Sequence, residues 1–259
     1  YIAQRSGGKS DWISFNKNPN MDIDSFKKKY QVKNKVISLM TSVSWDAQLK
    51  FEHNIFKNQM EWIYFTIDHF KKKENIDLII RVHPAEIRSD VPSAQKIKNE
   101  IFKKYNSLPE NIKIIDADNP FSSYKLAEIS ETVLVYSTKL SFEVPAYIGK
   151  NTIVCGEAFA KNKGFTMDPK SKDEYGSILD NIEKLNELSS EKTDLARRYA
   201  YHFFFRRCMK LNCLTTVKNT YPPFKLNENF VDDFLSGKEK ALEIAYNSII
   251  SNQPAILDV

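Results

Sequence analysis

Five short apolar runs punctuate residues 35–156, and stretches with helical spacing lie between them. The runs are "KVISLMTSV" (35–43), "DLIIRV" (77–82), "NIKIID" (111–116), "TVLVYS" (132–137) and "NTIVCG" (151–156). Each is short, continuous and bounded by polar residues, the pattern of a strand covered on both faces. Between the first two, Ile55, Phe56, Met60, Ile63, Ile67 and Phe70 recur at threes and fours, which marks an amphipathic helix. Ile97, Ile101, Phe102 and Tyr105 form a second stripe within 93–106. "SSYKLAEI" (122–129) reads as a helix opened by a serine N-cap, and "KLSFEVPAYIG" (139–149) as one closed by Gly149. Strand and helix in alternation imply βαβ units, hence an α/β fold with a doubly wound parallel sheet. In such sheets ligands lie beyond the carboxyl ends of the strands, near the point where strand order reverses.

The flanks differ. Residues 1–34 are polar, broken by Gly7-Gly8 and Asn18-Pro19, and read as a linker plus a short helix carrying Met21, Ile23, Phe26 and Tyr30. The chain begins without a methionine, as a cut inside a longer protein would. After Gly156 the spacing is helical over 172–188 and 191–211, "TYPPF" (220–224) stops the run, and two shorter helices are expected around 228–235 and 238–251. The expected boundaries are therefore 1–34, a sheet domain over 35–190, and a C-terminal helical extension over 191–259. "YAYHFFFRRCMKL" (199–211) mixes aromatics with arginine pairs; its faces do not separate cleanly, so burial is expected over a membrane-surface role.

The 259 residues are 42% hydrophobic and 27% charged, with a net charge of +5, ordinary for a globular chain. Lysines and glutamates are interleaved, so the balance suits anionic small ligands and no nucleic-acid partner is expected. Three cysteines, Cys155, Cys208 and Cys213, point to a reducing compartment without a disulfide framework. No zinc spacing is present.

"LIIRVHPAEIR" (78–88) runs a strand straight into His83-Pro84. The proline confines His83 to extended geometry, so the imidazole is aimed. It either faces a ligand or caps a turn. Arg81 and Arg88 add positive charge there, or Arg81 pairs with a carboxylate. "LVYSTKLSFEVPAYIGK" (134–150) places Ser137 and Thr138 at the end of the fourth strand, followed by helix N–H groups and Lys139, an anion-binding pattern that competes with plain N-capping. Glu143, one turn further, suits ribose hydroxyls or a basic partner. "TSVSWDAQ" (41–48) opens on the same edge; Ser42 would let backbone approach a ligand and Asp46 would accept hydrogen bonds, while Trp45 reads as a core anchor. Neither GxGxxG nor GxxxxGK[ST] occurs, which removes the usual signals of dinucleotide oxidoreduction and P-loop chemistry. "DAD" (116–118) reads as a turn, and no metal is expected.

"RVHPAEIR" and "YSTKLSFEVPAYIGK" resemble the C-terminal, donor-binding half of bacterial capsule-polysaccharide biosynthesis glycosyltransferases. Those enzymes have the GT-B fold of two facing Rossmann-like domains. Similar motifs occur in sialyl-, polysialyl- and Kdo-transferases and in teichoic-acid glycerophosphotransferases. The resemblance covers roughly 35–210. It implies a Rossmann-like nucleotide-binding domain in which His83, Ser137 and Thr138 contact the phosphate of a cytidine nucleotide donor and Glu143 lies near ribose or base. Together with the strand-end residues read above, the expected donor-site set is His83, Pro84, Ser137, Thr138, Lys139, Glu143, Ser42, Asp46 and Arg81, with His83 as the catalytic group.

The resemblance further implies a metal-independent glycosyltransferase with no cofactor, a CMP- or CDP-linked nucleotide-sugar as substrate, and a glycan or glycolipid acceptor. An N-terminal domain, not found in this sequence, would carry the acceptor contacts. A cytoplasmic location follows, with peripheral contact at the inner membrane. The rival readings are a CDP-polyol phosphotransferase on the same fold, a sugar epimerase of similar two-domain shape, and a non-catalytic scaffold.

Overall fold

The computed structural model describes residues 1–8, 21–45, 54–87, 92–217 and 224–257. By its internal contacts the chain forms two compact units, Tyr1–Arg197 and Arg198–Val259.

The first unit begins with helices α1 (Ile2–Ser6) and α2 (Ile23–Lys29). Strand β1 (Lys35–Met40) follows, then α3 (Gln59–Phe70), β2 (Ile76–Arg81), α4 (Ile97–Lys104), β3 (Ile112–Ile115), α5 (Ser123–Glu128), β4 (Ser130–Val135), α6 (Leu140–Glu143) and β5 (Asn151–Val154). The five strands form one sheet in the order β3-β2-β1-β4-β5. Every pairing is parallel. This is the doubly wound, Rossmann-like α/β architecture that the alternation predicts.

Period-two alternation explains why helices cover both faces. Ile37, Leu39, Leu78, Ile80, Leu134 and Ile153 point to one face, where they pack with Trp62, Ile63, Ile67 and Phe70 of α3 and with Ile97 and Ile101 of α4. Their strand neighbours Val36, Met40, Ile79, Val133, Val135 and Val154 point to the other, against Phe26 of α2 and Leu126 and Ala127 of α5. Burying each such aliphatic side chain contributes about 1.5–3 kcal/mol. The sheet thus has no solvent face to spare, and the crevices for a ligand lie at its edges.

The caps at 122 and 149 follow expectation. Ser122 Oγ accepts the Tyr124 N–H at 3.2 Å, and Gly149 closes the π-helical turn Val144–Ile148 that continues α6, with φ of 76°. Other boundaries move. The helix expected over 93–106 is confined to 97–104. The helix expected over 172–188 is α7 (Lys172–Asp180) followed by a 3₁₀ turn at Ile182–Lys184. Asn181 ends α7, its side-chain amide donating to the Ser177 carbonyl at 3.0 Å, a local bond that competes with continuing the helix.

α8 (Ser190–Tyr201) leads from the first unit into the second and passes into a π-helical turn at His202–Arg206. The expected burial of its aromatics is not met there: none of His202–Arg206 is buried. The rings pair with each other instead, Tyr201 with Phe205 and Phe203 with Phe204, each at 5.4 Å between centroids. The second unit also holds an unexpected antiparallel hairpin of β6 (Leu214–Thr216) and β7 (Phe224–Leu226), then α9 (Phe230–Leu235) and α10 (Lys240–Ser251). The buried Glu239 accepts the Cys213 N–H at 2.7 Å. Among the described residues no helix is long and apolar enough to cross a membrane.

Candidate functional site

Strand order reverses at β1, which has β2 on one side and β4 on the other. Met40 aligns with Arg81 across one pairing and with Val135 across the next. The residues just beyond, Thr41-Ser42, Val82-His83 and Tyr136-Ser137, therefore leave three neighbouring strands at one level of the carboxyl edge. This is the switch point where an open α/β sheet leaves a crevice.

Two hydrogen bonds tie the three ends together. The His83 N–H donates to Thr41 Oγ1 at 2.9 Å, and Ser42 Oγ donates to the Ser137 carbonyl at 2.5 Å. Ser42 is buried, and its own N–H and C=O are held by the Gln59 side-chain amide at 2.5 and 2.9 Å. Its hydroxyl proton is thus committed to Ser137, and the group serves as a tie between β1 and β4. Gln59 opens α3 behind the N-cap Asn58, whose side chain accepts the Glu61 N–H at 2.9 Å. Sequence reasoning missed Gln59; a polar residue at the head of an otherwise apolar helix was the available signal.

His83 is half-buried, and Pro84 starts a 3₁₀ turn over Pro84–Ile87. The ring's Nδ1 accepts the Ala85 N–H at 3.1 Å. An imidazole nitrogen that accepts carries no proton, which leaves Nε2 as the position for the ring's proton. The turn-capping reading of His83 is thus met at Nδ1.

Ser137, Thr138 and Lys139 are half-buried at the start of α6. Thr138 Oγ1 accepts the Leu140 N–H at 3.3 Å, and its carbonyl accepts the Ser141 N–H at 3.2 Å. Glu143 lies deeper. Its carboxylate is buried, accepts the Tyr124 hydroxyl at 2.7 Å, and sits 2.9 Å from Arg5 Nε as an ion pair outside hydrogen-bond alignment. Burial and the Glu143 charge push the Tyr124 hydroxyl far above its ordinary value. The basic partner expected for Glu143 is Arg5.

Arg81 runs beneath the loop after β3. Its guanidinium is buried and donates to the carbonyls of Asp116 and of Asn119, the latter at 3.1 Å. Burial lowers its pKa to about 10, against the raising influence of Tyr30, Asp118 and Asp116. It remains charged at neutral pH and braces the 116–119 turn. The Asp116 carboxylate meets Lys98 at 2.8 Å. Asp46, Arg88 and His53 lie outside the described residues.

Two described cavities open on the opposite, amino edge of the sheet. One of about 290 Å³ is lined by Lys35, Ile76, Thr132 and Asn151, and one of about 480 Å³ by Tyr30, Asn34, Asp77 and Lys113. In the second, buried Asp77 accepts the N–H groups of Lys33 and Asn34 at 2.8 and 2.9 Å and pairs with Lys113, a structural knot between β2 and the chain entering β1. Neither cavity reaches the strand ends that carry His83 and Ser137. Residues 46–53 and 88–91, which follow β1 and β2 in the sequence, lie outside the described residues.

No protein-family model and no curated protein matches the chain. Several solved structures are similar to part of the chain. The chain is 15% identical to the beta Kdo 2,4 transferase of Thermosulfurimonas dismutans KpsC, over 64% of this chain and 44% of that one, with a TM-score of 0.40. It is 14% identical to S. aureus MnaA in a co-structure with UDP, over 71% and 49%, with a TM-score of 0.44. It is 10% identical to a protein of Listeria monocytogenes described as a UDP-N-acetylglucosamine 2-epimerase, over 95% and 52%, with a TM-score of 0.42. The chain spans about half the length of each.

Proposed function

We propose that this chain is the donor-binding part of a glycosyltransferase of the GT-B type, acting in capsule or other surface-polysaccharide synthesis. Its donor would be a CMP- or CDP-linked sugar and its acceptor a glycan or glycolipid. The observation that carries the reading is the tying of the ends of β2, β1 and β4 into one rim, which bears the His83 imidazole, held at Nδ1 by the Ala85 N–H, and the hydroxyls of Ser137 and Thr138.

In transfer from a nucleotide-sugar, the bond from the anomeric carbon to the phosphate oxygen breaks and its electron pair stays on that oxygen. Negative charge on the leaving phosphate therefore grows toward the transition state. Donors already held in place at that point stabilise the transition state more than the ground state. His83 Nε2–H, the Ser137 hydroxyl and Lys139 would act on the phosphate in this way. Thr138, which turns its oxygen to the Leu140 N–H, would organise the backbone of the same turn. Ser42 and Gln59 would hold the rim from below rather than touch the donor.

Thermal protection by nucleotides tests the reading. Binding at a hundred times Kd adds about 2.7 kcal/mol to stability, so CMP or CDP at that level should raise Tm visibly and His83→Ala should remove the rise. Protection by UDP alone would overturn the cytidine assignment. Absence of protection by any nucleotide would leave the non-catalytic scaffold as the better account.

A further inference from the structure

We propose that Glu86 is the positioning residue of His83: it ties the His-Pro turn to the N-terminus of α4 and so sets the tautomer and aim of the imidazole. The inference rests on the donor-site reading above for its function, and on geometry alone for its mechanism.

Glu86 uses all three of its polar groups at this corner. Its N–H donates to the His83 carbonyl at 3.0 Å, closing the turn that presents Ala85 N–H to His83 Nδ1. Its carbonyl accepts the Ser93 N–H at 3.0 Å. Its carboxylate Oε2 accepts the N–H of Ile97, the first residue of α4, at 2.8 Å. The residue is 6% exposed, and a carboxylate is seldom buried unless its bonds require it. Desolvation raises its pKa, opposed by the Ile97 N–H and by Lys96.

The cap of α4 is unusual in its source. Lys96 stands at the N-cap position and makes no side-chain cap, although Ser, Thr, Asp or Asn there would satisfy a helix N–H locally. The bond comes instead from a residue in the turn that holds His83. α4 is anchored in turn to the end of β3 by Lys98 and Asp116. His83 is thereby braced at its backbone N–H by Thr41 from the sheet, at its ring Nδ1 by Ala85 from its own turn, and at its carbonyl through Glu86 from a helix packed on the sheet.

The test separates bracing from mere helix capping. The tautomer of His83 is read by long-range ¹H–¹⁵N correlation, with His83→Gln identifying its signal among the four histidines. CMP affinity is read by titration. In the unaltered chain His83 should be an Nε2–H tautomer. Glu86→Ala should mix the tautomers and weaken CMP by about tenfold, the equivalent of about 1.4 kcal/mol. Glu86→Gln, which keeps an acceptor oxygen, should restore both.

The double variant Glu86→Ala with Lys96→Asp gives α4 a local cap without the link to the turn, and it carries the comparison if Glu86→Ala alone does not fold. It should regain stability and still show mixed tautomers and weak CMP binding. Recovery of the tautomer and of CMP affinity in that double variant would overturn the proposal, as would a Glu86→Ala protein with both unchanged. Should the unaltered chain not bind CMP at all, the donor-site reading falls, and the tautomer comparison still decides the role of Glu86.

Discussion

Tyr175 brings its hydroxyl from α7 into the apolar layer between α3 and the sheet. There it accepts the indole N–H of Trp62 at 3.0 Å and meets the Thr66 hydroxyl at 2.8 Å. Burial pushes the Tyr175 hydroxyl and the nearby Cys155 thiol well above their ordinary values, so both stay neutral. Thr66 has a second partner in the Trp62 carbonyl at 2.8 Å, and the Cys155 thiol lies beside both the Tyr175 hydroxyl and the indole N–H. Tyr175→Phe should therefore destabilise the protein by about 0.5–1.5 kcal/mol, the net worth of a buried hydrogen bond. Urea denaturation followed by tryptophan fluorescence reads this. Adding Trp62→Phe should cost less than the sum of the two single changes, and simple additivity would count against the network.

At the scale of elements, the join of β4 and β5 has almost no tolerance. The Gly156 N–H donates to the Tyr136 carbonyl at 3.1 Å, and a Cβ on Gly156 would stand 2.6 Å from that same oxygen. The clash is with backbone, which cannot swing aside as a flexible side chain would. Gly156→Ala should cost about 1–3 kcal/mol, as overpacking does, and should push apart the strand ends next to Ser137. A fall in Tm together with weakened CMP protection is the expected result. An unchanged Tm would mean that the two ends are not in contact in solution. The displaced start of α4 belongs to this scale as well: it lies where the Glu86 carboxylate meets the Ile97 N–H.

Across the whole molecule, burial is unevenly shared. Leu39, Leu78, Leu134 and Ile153 are fully buried in the sheet, whereas Ala241 is the one buried residue of α9 and α10. Val231, Leu235, Ile249 and Ile250 are all exposed. Regions with few buried apolar contacts open at lower free energy. Amides of β1 and β4 should exchange with deuterium at least about a hundredfold more slowly than those of α9 and α10. Equal protection in the two units would show that the second is stabilised by something beyond its own packing.

The amino-acid sequence by itself determined the alternation of strands and helices, the double winding, the caps at Ser122 and Gly149, and the strand ends on which His83, Ser137 and Thr138 stand. These follow from periodicity and local backbone preference, which act over a few neighbouring residues. Only the tertiary structure decided the partners of the polar groups. Glu143 meets Arg5 and Tyr124, Arg81 braces the turn after β3, Ser42 is held by Gln59, and Glu86 caps a helix that begins beyond its own turn. A hydrogen bond between distant residues leaves no period in the chain, because its geometry exists only once the sheet has brought the two ends together.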